Sequence, residues 1–283
     1  MREYLNADSR ANEIRMTRSV CEGAICVLEG ESDRKVYTGL FQDGVRAVCV
    51  GPLVAAVIQR LNSTATEGIF GIMDADFCHL EKDCPRTVNL FLTDYHDLEI
   101  GLIFSNAFCK VLGELGSEEK LRNAAGGGRT DALRKILLAA TAPLGALRWL
   151  NKSKSYSLKF DGINFSTFVD KSRLHVDTEA MCRAVCQGCR KDTLIKQAVI
   201  EVRGILGKGH DQKQLCCGHD MVEVMGIALR KFWGTQEACE VSEERLARSL
   251  RLAYKMEDFA RTQLHEALRK WEKDHPNYRL FPT

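Results

Sequence analysis

Proline and long apolar runs are scarce in this sequence of 283 residues. Five prolines among 45% hydrophobic and 28% charged residues exclude a collagen-like, low-complexity or disordered chain. No run approaches the roughly 18–20 consecutive apolar residues of a membrane span, and the start Met1-Arg2-Glu3-Tyr4 has no apolar signal core. We therefore expect an ordered, cytoplasmic, globular protein with one large or two modest domains.

A disulfide framework is also missing, although the chain has twelve cysteines. They lack framework spacing and lie in a mid-sized chain without an export signal, so we interpret them as reduced thiols. One group of possible zinc ligands is Cys182, Cys186 and Cys189, with Cys216, Cys217 and His219 further on. The first three have the spacing of a buried stripe on a helix. We favour this interpretation over a zinc site, because so many cysteines supply C-x-x-C pairs by chance.

No phosphate-binding loop of the form G-x-x-x-x-G-K-[ST] occurs in the chain. The segment that begins at Gly204 lacks the hydroxyl residue, and residues 126–129 (Gly-Gly-Gly-Arg) lack the lysine. Any control by ATP is therefore expected to come from another chain.

Charge is unevenly distributed, although the net charge is only +2. Residues 1–119 carry 11 Lys and Arg against 19 Asp and Glu, whereas residues 120–175 carry 11 against 3. Residues 176–283 are nearly balanced, with 18 against 16. An acidic segment followed by a basic one is typical of a protein in which one part binds cations and another faces an anion.

The first 112 residues alternate short apolar runs with helical patterns. Thr93 and Asp94 are expected to cap one such helix, which passes through Ile103. This order predicts an α/β fold in which helices flank a parallel sheet. The other expected elements are strands over 25–29, 46–50, 68–73 and 88–92, and helices over 32–41 and about 53–62.

Residues 113–283 have a mainly helical pattern, so we expect domains over 1–112 and 113–283. Glycines at 113, 116 and 126–128 bracket a polar stretch that indicates the joint. Behind it we expect a helix over about 130–140, a turn at Ala142-Pro143, then loop and short strands to about residue 169. Further helices are expected over 177–206 and 219–233, and a long one from Ser242 to about Lys273.

Three carboxylates follow expected strands, at the sheet edge where open parallel sheets bind ligands. Glu29 closes the first strand, and Asp74 and Asp76 follow the third. Their i, i+2 spacing in an extended loop directs both side chains to one side, toward a cation shared with Glu29. A donor set of oxygens alone suits Mg²⁺ or Mn²⁺, which polarises phosphoryl oxygens and activates water. Each acid alone is more often a solvated turn residue, but the combination favours a metal site.

The same residues carry a resemblance to a known family. Residues 27–33 (VLEGESD) and 71–76 (GIMDAD) resemble the TOPRIM domain of topoisomerases, bacterial primases and OLD-type nucleases. Glu29-Gly30 matches the turn after that domain's first strand, and Asp33 stands where a polar residue follows. Asp74 and Asp76 match the Asp-x-Asp after its third strand. The likeness covers about residues 22–112.

The resemblance implies a TOPRIM, Rossmann-like sheet and Mg²⁺-dependent phosphodiester hydrolysis, with Mn²⁺ as a substitute. It implies that Glu29 acts as general base or metal ligand and that Asp74 and Asp76 act as ligands. Asp97 and Glu99, near the same edge, are candidate additional ligands.

Three further motifs are similar to a narrower TOPRIM-containing family, one member of which is the effector subunit of the PARIS anti-phage system. They are residues 93–99 (TDYHDLE), 143–148 (PLGALR) and 218–220 (GHD), and this weaker resemblance covers most of the chain. It implies a toxic nuclease that attacks host tRNA, is held by an ABC-type ATPase in trans, and works as a homodimer.

The basic segment 120–175 is the predicted nucleic-acid surface, since its cations would track phosphates while Trp149, Tyr156 and Phe160 stack bases. A solvated face with core aromatics explains the pattern about equally well. His219 and Asp220 are candidates to assist the acidic site or bind a substrate phosphate, although such a pair at a helix start is more often a cap. The candidate nucleic-acid-binding residues are Arg129, Arg148, Lys152, Lys154 and Lys159.

The sequence thus favours a metal-dependent endonuclease of anti-phage defence, cutting RNA rather than DNA. Two alternatives stay open. One is a non-catalytic, partner-binding subunit whose acidic cluster holds a structural ion, and the other is a stand-alone RNA-processing nuclease without an ATPase partner.

Overall fold

The computed structural model describes residues 6–127, 130–186 and 192–282. The chain divides into a sheet unit (Met1–Ala75, Lys82–Asp94 and Tyr254–Thr283) and a helical unit (Asp76–Glu81 and Tyr95–Ala253). The strands are β1 (Ile25–Leu28), β2 (Arg46–Cys49), β3 (Ile69–Met73) and β4 (Leu90–Leu92). The helices are α1 (Ala7–Arg18), α2 (Glu31–Tyr37), α3 (Val54–Asn62), α4 (Cys78–Glu81), α5 (Leu98–Ile103), α6 (Asn106–Leu115), α7 (Glu118–Ala124), α8 (Thr130–Lys154), α9 (Thr178–Val185), α10 (Asp192–Leu206), α11 (Gln212–Leu215), α12 (Gly218–Lys231), α13 (Glu243–Ala253), α14 (Met256–Phe259) and α15 (Gln263–Asp274).

Four parallel strands in the order β2-β1-β3-β4 form the core of the sheet unit. β1 lies between β2 and β3, with Val27 opposite Val48 on one side and Gly71 on the other. Every residue of β1 is fully buried, which explains why this strand has a continuous apolar run instead of an alternating one. The predicted α/β class with a parallel sheet is confirmed.

The helix after β1 begins one residue earlier than predicted. α2 begins at Glu31, because Gly30 has an extended backbone and stands at the N-cap position. The Gly30 N–H donates to the Asp33 carboxylate at 2.9 Å, as in one half of a capping box. Asp33 therefore stabilises the tight turn that follows Glu29.

The predicted turn at Ala142-Pro143 is wrong, since α8 runs unbroken from Thr130 to Lys154 with Pro143 inside it. A proline inside a helix costs about 3 kcal/mol, chiefly through its missing N–H and a ring clash. Leu144, Ala146 and Leu147 follow it directly and are all buried. Burial of this apolar turn outweighs the local preference of Pro143.

The stretch after α8 contains fewer strands than predicted. In the described range up to residue 186, it holds one 3₁₀ turn, Phe165–Thr167, and one isolated antiparallel bridge between Val169 and Val176. The predicted helix over 177–206 corresponds to α9 and α10.

The long C-terminal helix predicted from Ser242 to Lys273 is divided into α13, α14 and α15. Lys255 and Thr262 have extended backbones at the two breaks, and each precedes a new helix. α13 belongs to the helical unit, whereas α14 and α15 belong to the sheet unit. There Trp271 of α15 packs on Phe70 of β3, with 5.0 Å between ring centroids.

The predicted domain joint near residue 113 falls inside α6. Val111 and Leu112 are buried on that helix, so the chain continues there through a packed core. The chain passes from one unit to the other after Ala75, Glu81 and Asp94, and again after Ala253. None of the helices in the described ranges combines the length and apolar character needed to cross a bilayer.

Candidate functional site

Two of the predicted metal ligands lie side by side in the sheet unit. Glu29 follows β1 and Asp74 follows β3, and these strands are hydrogen-bonded neighbours. The Asp74 backbone N–H donates to Glu29 Oε1 at 3.3 Å. The Ala75 N–H donates to Thr93 Oγ1 at 3.0 Å, which anchors the loop after β3. The sheet therefore brings the Glu29 and Asp74 carboxylates to its carboxyl edge, as predicted.

Asp76, the third predicted ligand, is the first residue of the helical unit. Its φ of +47° lies in the left-handed region, which aspartate enters more readily than most residues. Its backbone N–H donates to the His96 carbonyl at 2.6 Å. Its side chain is 65% exposed, and Oδ1 lies 3.8 Å from His96 Nε2. Asp76 is thus held in a strained turn with an accessible carboxylate.

Asp97 joins the N-termini of two helices. Its Oδ1 accepts the Ile100 N–H of α5 at 2.9 Å, and its Oδ2 accepts the Gly218 N–H of α12 at 2.6 Å. Its side chain is buried, so these charge-assisted bonds replace the water that it gives up. The residue predicted as an additional Mg²⁺ ligand is therefore the cap of both helices.

The helix cap expected at Thr93-Asp94 is wrong, because Asp97 occupies the N-cap position of α5. Asp94 caps a different helix: its carboxylate accepts the N–H groups of Gln263 and Leu264, at 2.7 and 2.8 Å, in the first turn of α15. The first Asp after a strand is thus a poor guide to the helix cap when several acids follow one another.

Gly218 lets the start of α12 approach the start of α5. A Cβ at this position would lie 2.3 Å from Asp97 Oδ1, 2.4 Å from Glu99 Cβ and 2.8 Å from the Ile100 nitrogen. Glu99, the other predicted additional ligand, is buried here at 3% exposure. No residue larger than glycine fits this position without displacing Asp97 or Glu99.

His219 and Asp220 form the first turn of α12 but have different partners. His219 Nδ1 lies 2.9 Å from Glu243 Oε1, and this hydrogen bond raises the pKa of His219 to about 9. Asp220 is buried and forms a two-pronged ion pair with Arg148, with both N–O distances 2.8 Å. Burial raises the pKa of Asp220, and the Arg148 guanidinium opposes that rise.

Most of the predicted nucleic-acid-binding cations are engaged within the helical unit. The Arg148 guanidinium pairs with Asp220 and stacks on Phe160, 4.4 Å from the ring centroid. Lys152 pairs with Glu81, and Lys154 with Glu201. Lys159 is exposed, and Arg129 lies outside the described residues. The acidic partners come from other parts of the chain, so a charge count over 120–175 overstates the positive surface.

Two of the aromatics expected to stack bases are likewise engaged. Trp149 stacks on Phe77 and donates its indole N–H to Glu81 Oε1 at 2.9 Å. The Tyr156 hydroxyl donates to Glu201 Oε2 at 2.9 Å. These contacts favour the interpretation that Trp149 and Tyr156 pack within the protein over the interpretation that they stack on nucleic-acid bases.

Three members of the cysteine group are buried thiols, whereas Cys217 is only partly buried. Cys182 and Cys186 are buried, and burial together with the neighbouring Cys186 raises the pKa of Cys182 to about 12. Cys189 lies outside the described residues. Cys216 is buried as well, with its Sγ 3.6 Å from the Leu138 carbonyl.

One group of mixed donors was missed by sequence reasoning. A ring nitrogen of His96, a carboxylate oxygen of Asp97 and the Cys217 Sγ all lie within 4.8 Å of one another. It is the only group of three or more potential metal-ligating residues so clustered in the described ranges. Asp97 and Gly218, the residue after Cys217, are 121 positions apart, so the motif spacing typical of metal ligands does not reveal the group. A His-Asp pair occurs in both residues 93–99 and residues 218–220, and it is the sequence feature that could have directed attention to these two segments.

No protein-family model and no curated protein matches the chain. Two sets of side chains define the candidate sites: the carboxylates at the sheet edge, and the donors around the starts of α5 and α12.

Arg148→Met should lower the free energy of unfolding by about 3 kcal/mol at neutral pH, because it leaves Asp220 buried without a counterion. The penalty should shrink as the pH falls, since protonation of Asp220 removes the unpaired charge. The double variant Arg148→Met/Asp220→Leu should recover most of the loss. Urea unfolding at several pH values measures the stability of wild type and of both variants. If Arg148→Met alone is as stable as wild type, the ion pair has no structural role.

Gly218→Ala should cost about 3 kcal/mol of stability, because its methyl group would overlap the Asp97 carboxylate and Glu99 Cβ. Gly101→Ala on α5 is the matched control: the space around Gly101 is open, so this change should be neutral or stabilise by up to about 1 kcal/mol. Equal effects of the two substitutions on urea unfolding would contradict the close approach of the two helix starts.

Proposed function

We propose that this chain is a Mg²⁺-dependent endonuclease whose metal is bound in the sheet unit by Glu29 and Asp74. The observation that carries the proposal is the meeting of Glu29 and Asp74 at the carboxyl ends of adjacent parallel strands. Ligands of open α/β sheets bind at this edge. Asp76 follows Asp74 by two residues, as the Asp-x-Asp of the TOPRIM resemblance requires.

The donor set fits a hard cation. Carboxylate oxygens are the protein ligands that Mg²⁺ prefers, and neither Glu29 nor Asp74 offers an imidazole or a thiol. Asp97 is left out of this set, because the potential metal-ligating side chains clustered around it are His96 and Cys217. When bound, the metal supplies Lewis-acid polarisation of a phosphoryl oxygen and neutralises developing negative charge.

Several residues of the sheet unit hold these carboxylates in position. The Asp74 N–H restrains the Glu29 side chain. Asp33 restrains the turn after Glu29 through the Gly30 N–H, and Thr93 restrains the loop after β3 through the Ala75 N–H. A carboxylate so restrained is pre-organised, whether Glu29 acts as a metal ligand or accepts a proton from the attacking water.

The proposed substrate is RNA, with host tRNA as the specific candidate, and the proposed setting is cytoplasmic anti-phage defence with an ABC-type ATPase acting in trans on a homodimer. The narrower resemblance supports this reading. Residues of its three motifs bond one another in the helical unit: Asp97 accepts the Gly218 N–H, and Arg148 pairs with Asp220. Of the predicted cations, Lys159 is exposed and takes part in none of the ion pairs found in the described residues, so it is the candidate for a phosphate contact.

Glu29→Gln and Asp74→Asn should each reduce Mg²⁺-dependent cleavage of a host tRNA pool by about 10²–10⁴-fold, because each removes a charged ligand or base and keeps its shape. Glu31→Gln is the matched control: Glu31 lies two residues from Glu29, is exposed and pairs only with Arg34 among the ion pairs of the described residues, so cleavage should be unchanged. Gel analysis of tRNA with the purified chain, with Mg²⁺ or EDTA, measures the rates.

Wild-type cleavage by either site variant would show that Glu29 and Asp74 are not the active site. Absence of Mg²⁺-dependent cleavage of any RNA or DNA by the folded wild-type chain would favour a binding role for the carboxylates.

A further inference from the structure

We propose that His96, Asp97 and Cys217 bind one Zn²⁺ ion in the helical unit. The three donor atoms lie within 4.8 Å of one another at the starts of α5 and α12. This site differs in donors and position along the chain from the proposed Mg²⁺ ligands Glu29 and Asp74. It does not depend on nuclease activity.

The donor set is one that zinc prefers. Zn²⁺ binds imidazole nitrogen, thiolate sulfur and carboxylate oxygen, usually with four ligands in a tetrahedron. Mg²⁺ and Ca²⁺ prefer oxygen ligands, so a set with nitrogen and sulfur selects against them. Three protein ligands leave one position open for water or another group.

The setting of His96 points to a cation beside its ring. Nδ1 lies 3.1 Å from the Gln214 carbonyl oxygen, which can only accept, so Nδ1 carries the proton. Nε2 is then the ring nitrogen available to a metal ion, and it lies 3.8 Å from Asp76 Oδ1. The Asp76 carboxylate therefore adds negative charge beside the proposed cation. A carbonyl that fixes the second nitrogen is also the usual outer partner of a zinc-bound histidine.

Asp97 and Cys217 are held by backbone, not by flexible side-chain contacts. Asp97 caps α5 and accepts the Gly218 N–H, and Cys217 is the N-cap residue of α12, directly before Gly218. Each carboxylate oxygen has two acceptor sites, so Asp97 keeps capacity for a metal after accepting both N–H groups. The bond between Asp97 and Gly218 therefore keeps the oxygen and sulfur donors close together.

Metal binding requires only a small closure of the three side chains. Zn²⁺ bonds of about 2.0–2.3 Å place tetrahedral ligand atoms roughly 3.3–3.7 Å apart. The donors have to approach by about 1 Å from a separation of up to 4.8 Å, which side-chain rotation accommodates. His96 and Asp97 are buried, so the closed site would be shielded from water on their side.

The test is the zinc content of the full chain purified without chelator, measured by mass spectrometry. Wild type should hold about one equivalent, and Cys217→Ser and His96→Gln should lose at least about 10-fold in affinity. Two controls should keep the metal: Cys239→Ser, an exposed cysteine, and Cys186→Ser, a buried cysteine that is not among the three proposed ligands. Glu29→Gln should keep it too, which separates this proposal from the nuclease assignment.

Cobalt substitution and chelator response provide a second readout where a variant folds poorly. Co²⁺ added to the metal-free wild type should give a thiolate charge-transfer band that Cys239→Ser retains and Cys217→Ser lacks. EDTA should lower the melting temperature of wild type but not that of Cys217→Ser. Folded wild type without zinc and without a cobalt–thiolate band would overturn the site, leaving a His96–Asp76 ion pair. Zinc that survives Cys217→Ser or disappears in Cys186→Ser would overturn it as well.

Discussion

The Asp97 carboxylate is the interaction on which the helical unit's candidate residues depend. Helix starts carry unsatisfied N–H groups and partial positive charge, and a buried carboxylate between two of them stabilises both. Asp97 does this for α5 and α12 with bonds of 2.9 and 2.6 Å. The same bond sets Gly218 against Glu99 and places Cys217 beside His96. The nearby ion pair of Arg148 and buried Asp220 then ties α12 to α8.

The chain presents two donor sets of different chemistry. Glu29 and Asp74 offer oxygen alone, at the edge of a parallel sheet. His96, Asp97 and Cys217 offer nitrogen, oxygen and sulfur, at two helix starts. Hard cations and zinc discriminate between such sets by ligand type, so one chain can hold both ions without exchange between the sites. In the proposed nuclease, the first ion would serve hydrolysis and the second would stabilise the helical unit.

Local sequence patterns predicted the sheet and the position of its carboxylates, because β1 is a continuous apolar run that ends directly at Glu29. The same patterns failed where distant segments decide the outcome. Pro143 predicts a break in the helix, yet burial of the apolar helical turn that follows it keeps α8 intact. Asp94 reads as a cap, yet it caps α15, about 170 positions away. Lys152 and Lys154 read as a phosphate track, yet Glu81 and Glu201 lie against them. His96 and Cys217 come together because the Asp97–Gly218 and His96–Gln214 hydrogen bonds join two distant segments.

Anomalous diffraction from crystals grown with both Mn²⁺ and Zn²⁺ tests the two-site account most directly, because data collected at each absorption edge identify each metal by element. The account predicts a zinc peak within bonding distance of His96, Asp97 and Cys217, and a separate manganese peak beside Glu29 and Asp74. A single shared peak, or zinc bound elsewhere with none at His96 and Cys217, would contradict it.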